Sequence, residues 1–238
     1  MTEISKISPD SVKSGAIAII PMLIGTAPFG VIFGAFGYEM GLGMLGTQGL
    51  SLCVFAGSSQ FVGTSLFGQG ASIIVVLITT FFINLRHMLY GAAIGPKLKG
   101  VKIRSRILMS FFLTDETFAV VSRFREIKVR YYWGTALAMY FNWQLWTFVG
   151  MLCVDYLKAF VSISLGFIMV PAFLPIIFQQ IQSKSNIVCA VLSVCLSLLF
   201  LEMPSQTGLL VAAVLSIIVV LILEHMQLLG SHTGDPKS

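Results

Sequence analysis

An arginine and a histidine, Arg86 and His87, stand side by side in the apolar stretch TTFFINLRHMLYGAAIG, which covers residues 79–95. A charged group inside a membrane-spanning helix is costly, so it usually faces a partner or a substrate path. Arg86 lies roughly 15 Å from the Lys97 end of the stretch at about 1.5 Å per residue, which is far for its side chain to reach the membrane surface. We therefore expect Arg86 to pair with an acid such as Asp115 or with a substrate carboxylate, and His87 to orient it.

Two neighbouring acids, Asp115 and Glu116 in the stretch FFLTDETFAV, form the second candidate group. Carboxylates inside a membrane protein can take up and release protons where their surroundings favour the neutral form. Together with His87 they are the candidate proton-coupling residues. The alternative is structural, since the same acids could cap a half-helix or pair with Arg106 or Arg123.

Small and polar residues inside other apolar stretches complete the candidate substrate-binding set. Besides Arg86, the set comprises Pro28, Phe29, Gly30, Gly57, Ser58, Ser59, Gln60, Asn84, Asn142 and Trp143. Proline and glycine loosen helices, so we expect the second apolar stretch to break at FAGSSQFVG. We also expect a half-helix to begin near Pro28, with its N-terminus free to hold a carboxylate. The alternative is packing: small residues let helices approach, and a lone asparagine often makes only an interhelical hydrogen bond.

The composition identifies an integral membrane protein. Of 238 residues, 56% are hydrophobic and 11% charged, and the mean hydropathy is +0.91. Nine of the fifteen basic residues fall in two clusters: Lys97, Lys99, Lys102, Arg104 and Arg106, then Arg123, Arg125, Lys128 and Arg130. Such clusters between apolar runs contact anionic membrane lipid on the cytoplasmic side, so nucleic acid is not an expected partner.

Seven stretches are long and apolar enough to cross a bilayer, which takes about 20 residues. They cover 14–38, 44–68, 71–94, 132–154, 160–182, 186–203 and 206–223. The segment 105–122 is shorter and has a basic cluster on each side, which a single crossing does not allow if both clusters face the cytoplasm. Either 105–122 forms a re-entrant pair of half-helices with Thr114 as the N-cap, or one cluster faces out.

An offset of 85–90 residues suggests an internal repeat. It places LIGTAPFG over FFLTDETF, FAGSSQFVGTS over YFNWQLWTFVG, and FFINLRH over IMVPAFLP, so that each half closes with a helix interrupted at Asn84 or Pro171. The prediction is an all-α, polytopic membrane protein of about seven spanning helices with broken or re-entrant elements and two three-element repeats. Its parts are a polar segment 1–13, repeats 14–100 and 101–183, two further spans in 184–224 and a polar tail 225–238.

The runs PFGVIFG, FAGSSQF, INLRHMLYG and FFLTDETFAV, with YYWGT and the NW that follows it, resemble the AzlC family over about residues 14–182. That family comprises the large subunits of bacterial branched-chain amino acid exporters of the azaleucine-resistance type. The resemblance implies a plasma-membrane permease for leucine, isoleucine and valine, with methionine as a further candidate, acting with a small AzlD-type membrane subunit. The chain departs from the family at SLGFIMVPAFLP, which lacks the aspartate of a Gly-Leu-Asp-Phe stretch.

The motifs also limit the functions that the chain can have. It contains no phosphate-binding loop, no HExxH and no GxSxG, and His87, His225 and His232 are scattered, so we expect neither an enzyme nor a cofactor or metal. Export would then depend on an ion gradient, most simply protons. Rings that could contact an apolar substrate side chain are Phe29, Phe55, Phe61 and Phe118. The alternative is a channel or a structural subunit whose partner forms the substrate path.

Overall fold

The computed structural model describes residues 7–156, 184–200 and 207–226. In these ranges the chain is helical, with short turns and no β-strand, so the all-α class is confirmed for the described residues. The helices are α1 (Val12–Ala18), α2 (Ile20–Gly37), α3 (Gly43–Val54), α4 (Gly57–Gly68), α5 (Ile73–Ile94), α6 (Ile103–Phe111), α7 (Asp115–Val121), α8 (Val129–Leu152), α9 (Lys184–Leu199) and α10 (Thr207–His225).

Two helical runs among the described residues are long and apolar enough to cross a membrane, Ile20–Val54 and Ile73–Lys97. The count of seven spans therefore stays a prediction. Helices α9 and α10 lie where the last two spans are predicted. The predicted span 160–182 and its Pro171 fall outside the described residues.

Helices α2 and α8 run parallel in direct backbone contact. A side chain at Gly34 would overlap the carbonyl oxygen of Thr147, and one at Gly150 would overlap that of Val31. The expected helix start near Pro28 is wrong, because Pro28 lies inside α2, which is continuous from Ile20 to Gly37. Proline removes one backbone hydrogen bond, but α2 keeps its course since it packs along α8 on both sides of Pro28.

The second predicted span is broken, as its small residues suggest. Helix α3 ends where Phe55 adopts a left-handed φ of 40° and Ala56 is extended, and α4 then returns towards the start of α3, where Gly68 contacts Met40. Side chains satisfy the free carbonyls of the last turn of α3. Gln60 Nε2 donates to Leu50 at 3.1 Å, Gln144 Nε2 to Ser51 at 3.1 Å, and the Tyr140 hydroxyl to Leu52 at 3.2 Å.

The segment 105–122 is a re-entrant pair of half-helices, the first of the two alternatives offered by the sequence. Lys97 Nζ donates to the Ser122 carbonyl at 2.6 Å, and Arg106 Nη2 donates to the Leu98 carbonyl at 2.6 Å. Both flanks of the segment therefore lie at the end where α5 finishes. Thr114 is the N-cap of α7, as predicted, because its side chain accepts a hydrogen bond from the Thr117 backbone N–H.

The two hairpins, α3–α4 and α6–α7, enter from opposite ends and meet at their tips. Each is followed by one long helix, α5 or α8, and Phe55 of the first tip lies 57 positions before Phe112 of the second. The repeat at 85–90 residues is wrong in matching broken helices, since it pairs the break at Phe55 with the unbroken α8 and places an interruption at Asn84 in the continuous α5. The boundaries 14–100 and 101–183 stay predictions.

Candidate functional site

Arg86 of α5 connects the tips of both hairpins. Its Nη1 lies 2.6 Å from Asp115 Oδ2 at the start of α7, and its Nη2 donates a hydrogen bond of 2.6 Å to Ser58 Oγ in the first turn of α4. The ion pair is one of the two partnerships expected for Arg86 from the sequence. Among the described residues Arg86 Nε is buried and has no hydrogen-bond partner, so one donor of the guanidinium stays available.

Tyr90 holds the other oxygen of Asp115. The Tyr90 hydroxyl donates to Asp115 Oδ1 at 2.5 Å, and its ring stacks on Phe118 with centroids 4.4 Å apart and planes at 16°. The carboxylate is therefore fixed by one cation and one hydroxyl, both on α5. Tyr90 was not among the predicted site residues, although its spacing of four from Arg86 places the two on one helical face.

One further hydrogen bond joins α4 to α5 beside the ion pair, and another contact lies within α5. Ser59 Oγ donates to Asn84 Oδ1 at 2.7 Å, and His87 Nδ1 lies 3.2 Å from the Asn84 carbonyl oxygen. The His87 ring also meets the Tyr90 ring edge to face at 5.8 Å. Glu116, next to Asp115 in the first turn of α7, is partly buried. The structure thus gathers seven predicted residues at one junction: Ser58, Ser59, Asn84, Arg86, His87, Asp115 and Glu116.

The junction lies about halfway through the helical bundle. Arg86 precedes Lys97 by 11 positions, which corresponds to about 16 Å along α5. The hydrocarbon core of a bilayer is about 30 Å thick, so a site at this position is near its middle. The Arg86 side chain is 21% exposed and that of Asp115 39%, so the pair is reachable from outside the described helices.

The other predicted binding residues lie in the packing between α2, α4 and α8. Trp143 Nε1 donates to Gln60 Oε1 at 3.0 Å, and both side chains are buried. The ring of Trp143 also lies against Gly57. The amide of Asn142 donates to the Leu23 carbonyl, which connects α8 to α2. It also accepts a hydrogen bond from Trp146 Nε1 within α8.

Pro28, Phe29 and Gly30 are also separate from the junction. They lie within α2, and a side chain at Gly30 would overlap Trp146 of α8. The half-helix at this depth begins instead at α4, where Ala56 is an N-cap without a side-chain hydrogen bond. The stretch FAGSSQ predicts this break from the sequence. The sequence does not show that Arg86 and Asn84 of α5 contact it.

An open groove of about 500 Å³ runs along the outer face of α5 and ends at Asn84. Its lining is mostly apolar: Leu77, Ile78, Thr80, Phe81 and Asn84. Several side chains of this face are exposed, including Leu77 and Phe81. A surface of this kind suits lipid chains or another helix.

Comparison with known proteins links the chain to membrane proteins. The model of the AzlC protein family matches residues 21–157. A membrane protein of Archaeoglobus fulgidus is 32% identical over 140 residues, which are 59% of this chain and 61% of that protein. The inner membrane protein YgaZ of Escherichia coli is 26% identical over 71% of this chain and 72% of its own length.

A relative with a transport name was also found. The branched-chain amino acid transport protein AzlC of Bacillus subtilis is 24% identical over 206 residues, which are 85% of this chain and 80% of the relative. No solved structure matches the chain. The family match includes both hairpins, so Ser58, Arg86 and Asp115 all lie inside the matched region.

Proposed function

This chain belongs to the AzlC family, and we propose that it is a secondary active exporter of branched-chain amino acids in the bacterial plasma membrane. Leucine, isoleucine and valine are the proposed substrates, and methionine is a further candidate. The observation that carries the proposal is the position of Arg86, which connects two half-helix hairpins near mid-depth while one of its donors stays free. A charged residue at that depth marks a substrate or ion path.

The charges of the junction complement an amino acid zwitterion. Arg86 offers a planar, multiply donating cation for the substrate carboxylate, assisted by Ser58 and the N-terminus of α4. Asp115 then loses its cation and can accept the substrate ammonium while Tyr90 keeps the carboxylate in place. Binding thus exchanges the ion pair of 2.6 Å for two new ones, and neither charge is left alone.

The two hairpins give each side of the membrane its own route to this junction. Helices α3–α4 reach the junction from one end and α6–α7 from the other, as in transporters whose broken helices meet at a central site. The coupling ion that we propose is the proton, carried by Asp115 or Glu116 with His87 nearby. A small AzlD-type membrane subunit is the proposed partner, and that expectation rests on the family resemblance alone.

The distribution of basic residues suggests the orientation. Both basic clusters lie at one end of the bundle, together with Ser8, whose backbone N–H donates to the Glu126 carbonyl at 3.1 Å. Since basic loops favour the cytoplasmic side, we place this end, including Ser8, there. The α3–α4 hairpin would then enter from the outside.

The test is leucine efflux from cells that are fed leucine-containing peptides and from proteoliposomes with an imposed pH gradient. Loss of this protein should raise intracellular leucine, and Arg86→Met should abolish efflux while Arg104→Met, an exposed arginine of the basic end, leaves it intact. If the chain is only a channel or a structural subunit, Asp115→Asn will reduce assembly without altering the proton dependence. Unchanged leucine levels in cells lacking the protein would contradict the exporter.

A further inference from the structure

Where the two hairpin tips meet, four aromatic rings pack together. We call this cluster the aromatic junction; it consists of Phe55, Phe111, Phe112 and Tyr140. Tyr140 of α8 contacts Phe55 with centroids 4.9 Å apart and Phe112 with centroids 5.2 Å apart, both edge to face. Phe55 and Phe112 are themselves 6.3 Å apart.

An aromatic residue precedes a polar one by the same number of positions at both tips. Phe55 precedes Ser58 by three positions, and Phe112 precedes Asp115 by three. Ser58 and Asp115 are the two side chains that Arg86 binds. Three residues span at most about 11 Å, so the rings at both tips are close enough for an amino acid whose charged end reaches Arg86 to direct its side chain towards the aromatic junction.

The backbone at Phe55 shows that a ring is placed there against a local preference. Phe55 has a φ of 40°, whereas the other described residues with positive φ are glycines. A non-glycine residue in this region is strained and persists only where its surroundings over-determine it, which is frequent at functional sites. The side chain is 4% exposed, so the surrounding rings hold it in place.

We propose that Phe55, Phe112 and Tyr140 are the specificity-determining residues for the substrate's apolar side chain. This inference rests on the proposed function and deepens it. The three rings come from three elements, so movement of either hairpin changes the space between them. In the described structure they are in mutual contact, and a branched aliphatic side chain enters between them only as the tips separate. The size of that opening, rather than the charged pair, then decides which zwitterion is accepted.

The experiment measures kcat and KM for leucine and phenylalanine with the full chain in proteoliposomes. Phe112→Ala and Phe55→Gly enlarge the opening, and glycine also suits the φ of 40°. We expect the ratio of kcat/KM for phenylalanine to that for leucine to rise about tenfold in each variant, the discrimination that one small change in an apolar pocket typically supplies.

Two controls separate the aromatic junction from general packing. Phe141→Ala also removes a phenylalanine ring, at the position after Tyr140, but the Phe141 side chain is on the outside of α8 and 65% exposed. Phe33→Leu perturbs a fully buried ring that stacks on Trp143. Neither control should change the ratio. If Phe112→Ala does not accumulate as folded protein, Phe112→Leu is measured instead, with a smaller rise expected.

The outcomes distinguish this inference from the proposed function. If wild-type protein transports leucine but the ratio stays the same in the variants at Phe55 and Phe112, the assignment of specificity is wrong and the exporter stands. An equal change in the Phe33→Leu control would also overturn the assignment, because loosened packing would explain both. If leucine levels are unchanged in cells lacking the protein, the proposed function itself fails.

Discussion

Removal of both charges of the Arg86–Asp115 pair should cost less stability than the two single removals added together. Arg86→Met removes the contact with Asp115 and the hydrogen bond to Ser58, and leaves a carboxylate near mid-depth whose one side-chain donor among the described residues is Tyr90. Asp115→Asn keeps an acceptor for Tyr90 but leaves the guanidinium without its anion. The double variant contains neither charge, so no unpaired charge is left.

The size of each effect follows from the contacts and their exposure. Breaking a buried ion pair on one side costs about 3–5 kcal/mol, and one hydrogen bond to a charged group contributes about 1.5–3 kcal/mol. Since the Asp115 side chain is 39% exposed and that of Arg86 21%, water screens part of this interaction. We therefore expect each single variant to lose about 2–4 kcal/mol of unfolding free energy, and the double variant about 1–2 kcal/mol less than their sum.

The assay is reversible unfolding in mixed detergent micelles, followed by tryptophan fluorescence. All three tryptophans, Trp133, Trp143 and Trp146, lie on α8 and report its packing. The matched control is the Lys128–Glu126 pair at 2.9 Å, which is partly exposed and lies at the basic end of the bundle, in the loop before α8. Lys128 lowers the pKa of Glu126 and Glu126 raises the pKa of Lys128, so both groups stay charged at neutral pH. Water at this end of the bundle screens the pair, and we expect no detectable coupling. Additive effects of Arg86→Met and Asp115→Asn, within about 0.5 kcal/mol, would refute the reasoning.

Three further predictions address the scaffold and the site. Gly34→Ala should lower the yield of monodisperse protein in size-exclusion chromatography, because its methyl group would overlap the Thr147 carbonyl. The control Gly25→Ala should not lower the yield, because no atom lies within 4 Å of the added methyl group. Equal yields would contradict the close contact of α2 and α8. Cysteines at positions 99 and 125 of a variant without its native cysteines should react with an impermeant reagent from the same membrane side, and labelling from opposite sides would exclude the re-entrant hairpin. Tyr90→Phe keeps the stack on Phe118 but removes the hydroxyl that donates to Asp115. Leucine should then bind about tenfold more weakly in calorimetry. An unchanged Kd would contradict a role for the hydroxyl.

The sequence by itself determined the class of protein and the residues that need a partner. High hydropathy with few charges requires helices in a membrane, because backbone groups in lipid must be satisfied within the helix. It also predicted the break at FAGSSQ and the N-cap at Thr114, since small residues and a threonine before two acids are local signals. Arg86 stood out for the same reason, as a charge too deep to reach the surface.

Only the tertiary structure decided which partner each residue has. Asn142, Trp143 and Gln60 look like site residues in the sequence, yet their hydrogen bonds connect helices. Tyr90 and Phe112 gave no strong signal, yet Tyr90 binds Asp115 and Phe112 belongs to the aromatic junction. A polar side chain in an apolar helix must find a partner, but the sequence does not say whether that partner is a neighbouring helix or a substrate. Helix packing decides this, because the close contact of α2 with α8 and the meeting of the hairpin tips fix which side chains face each other.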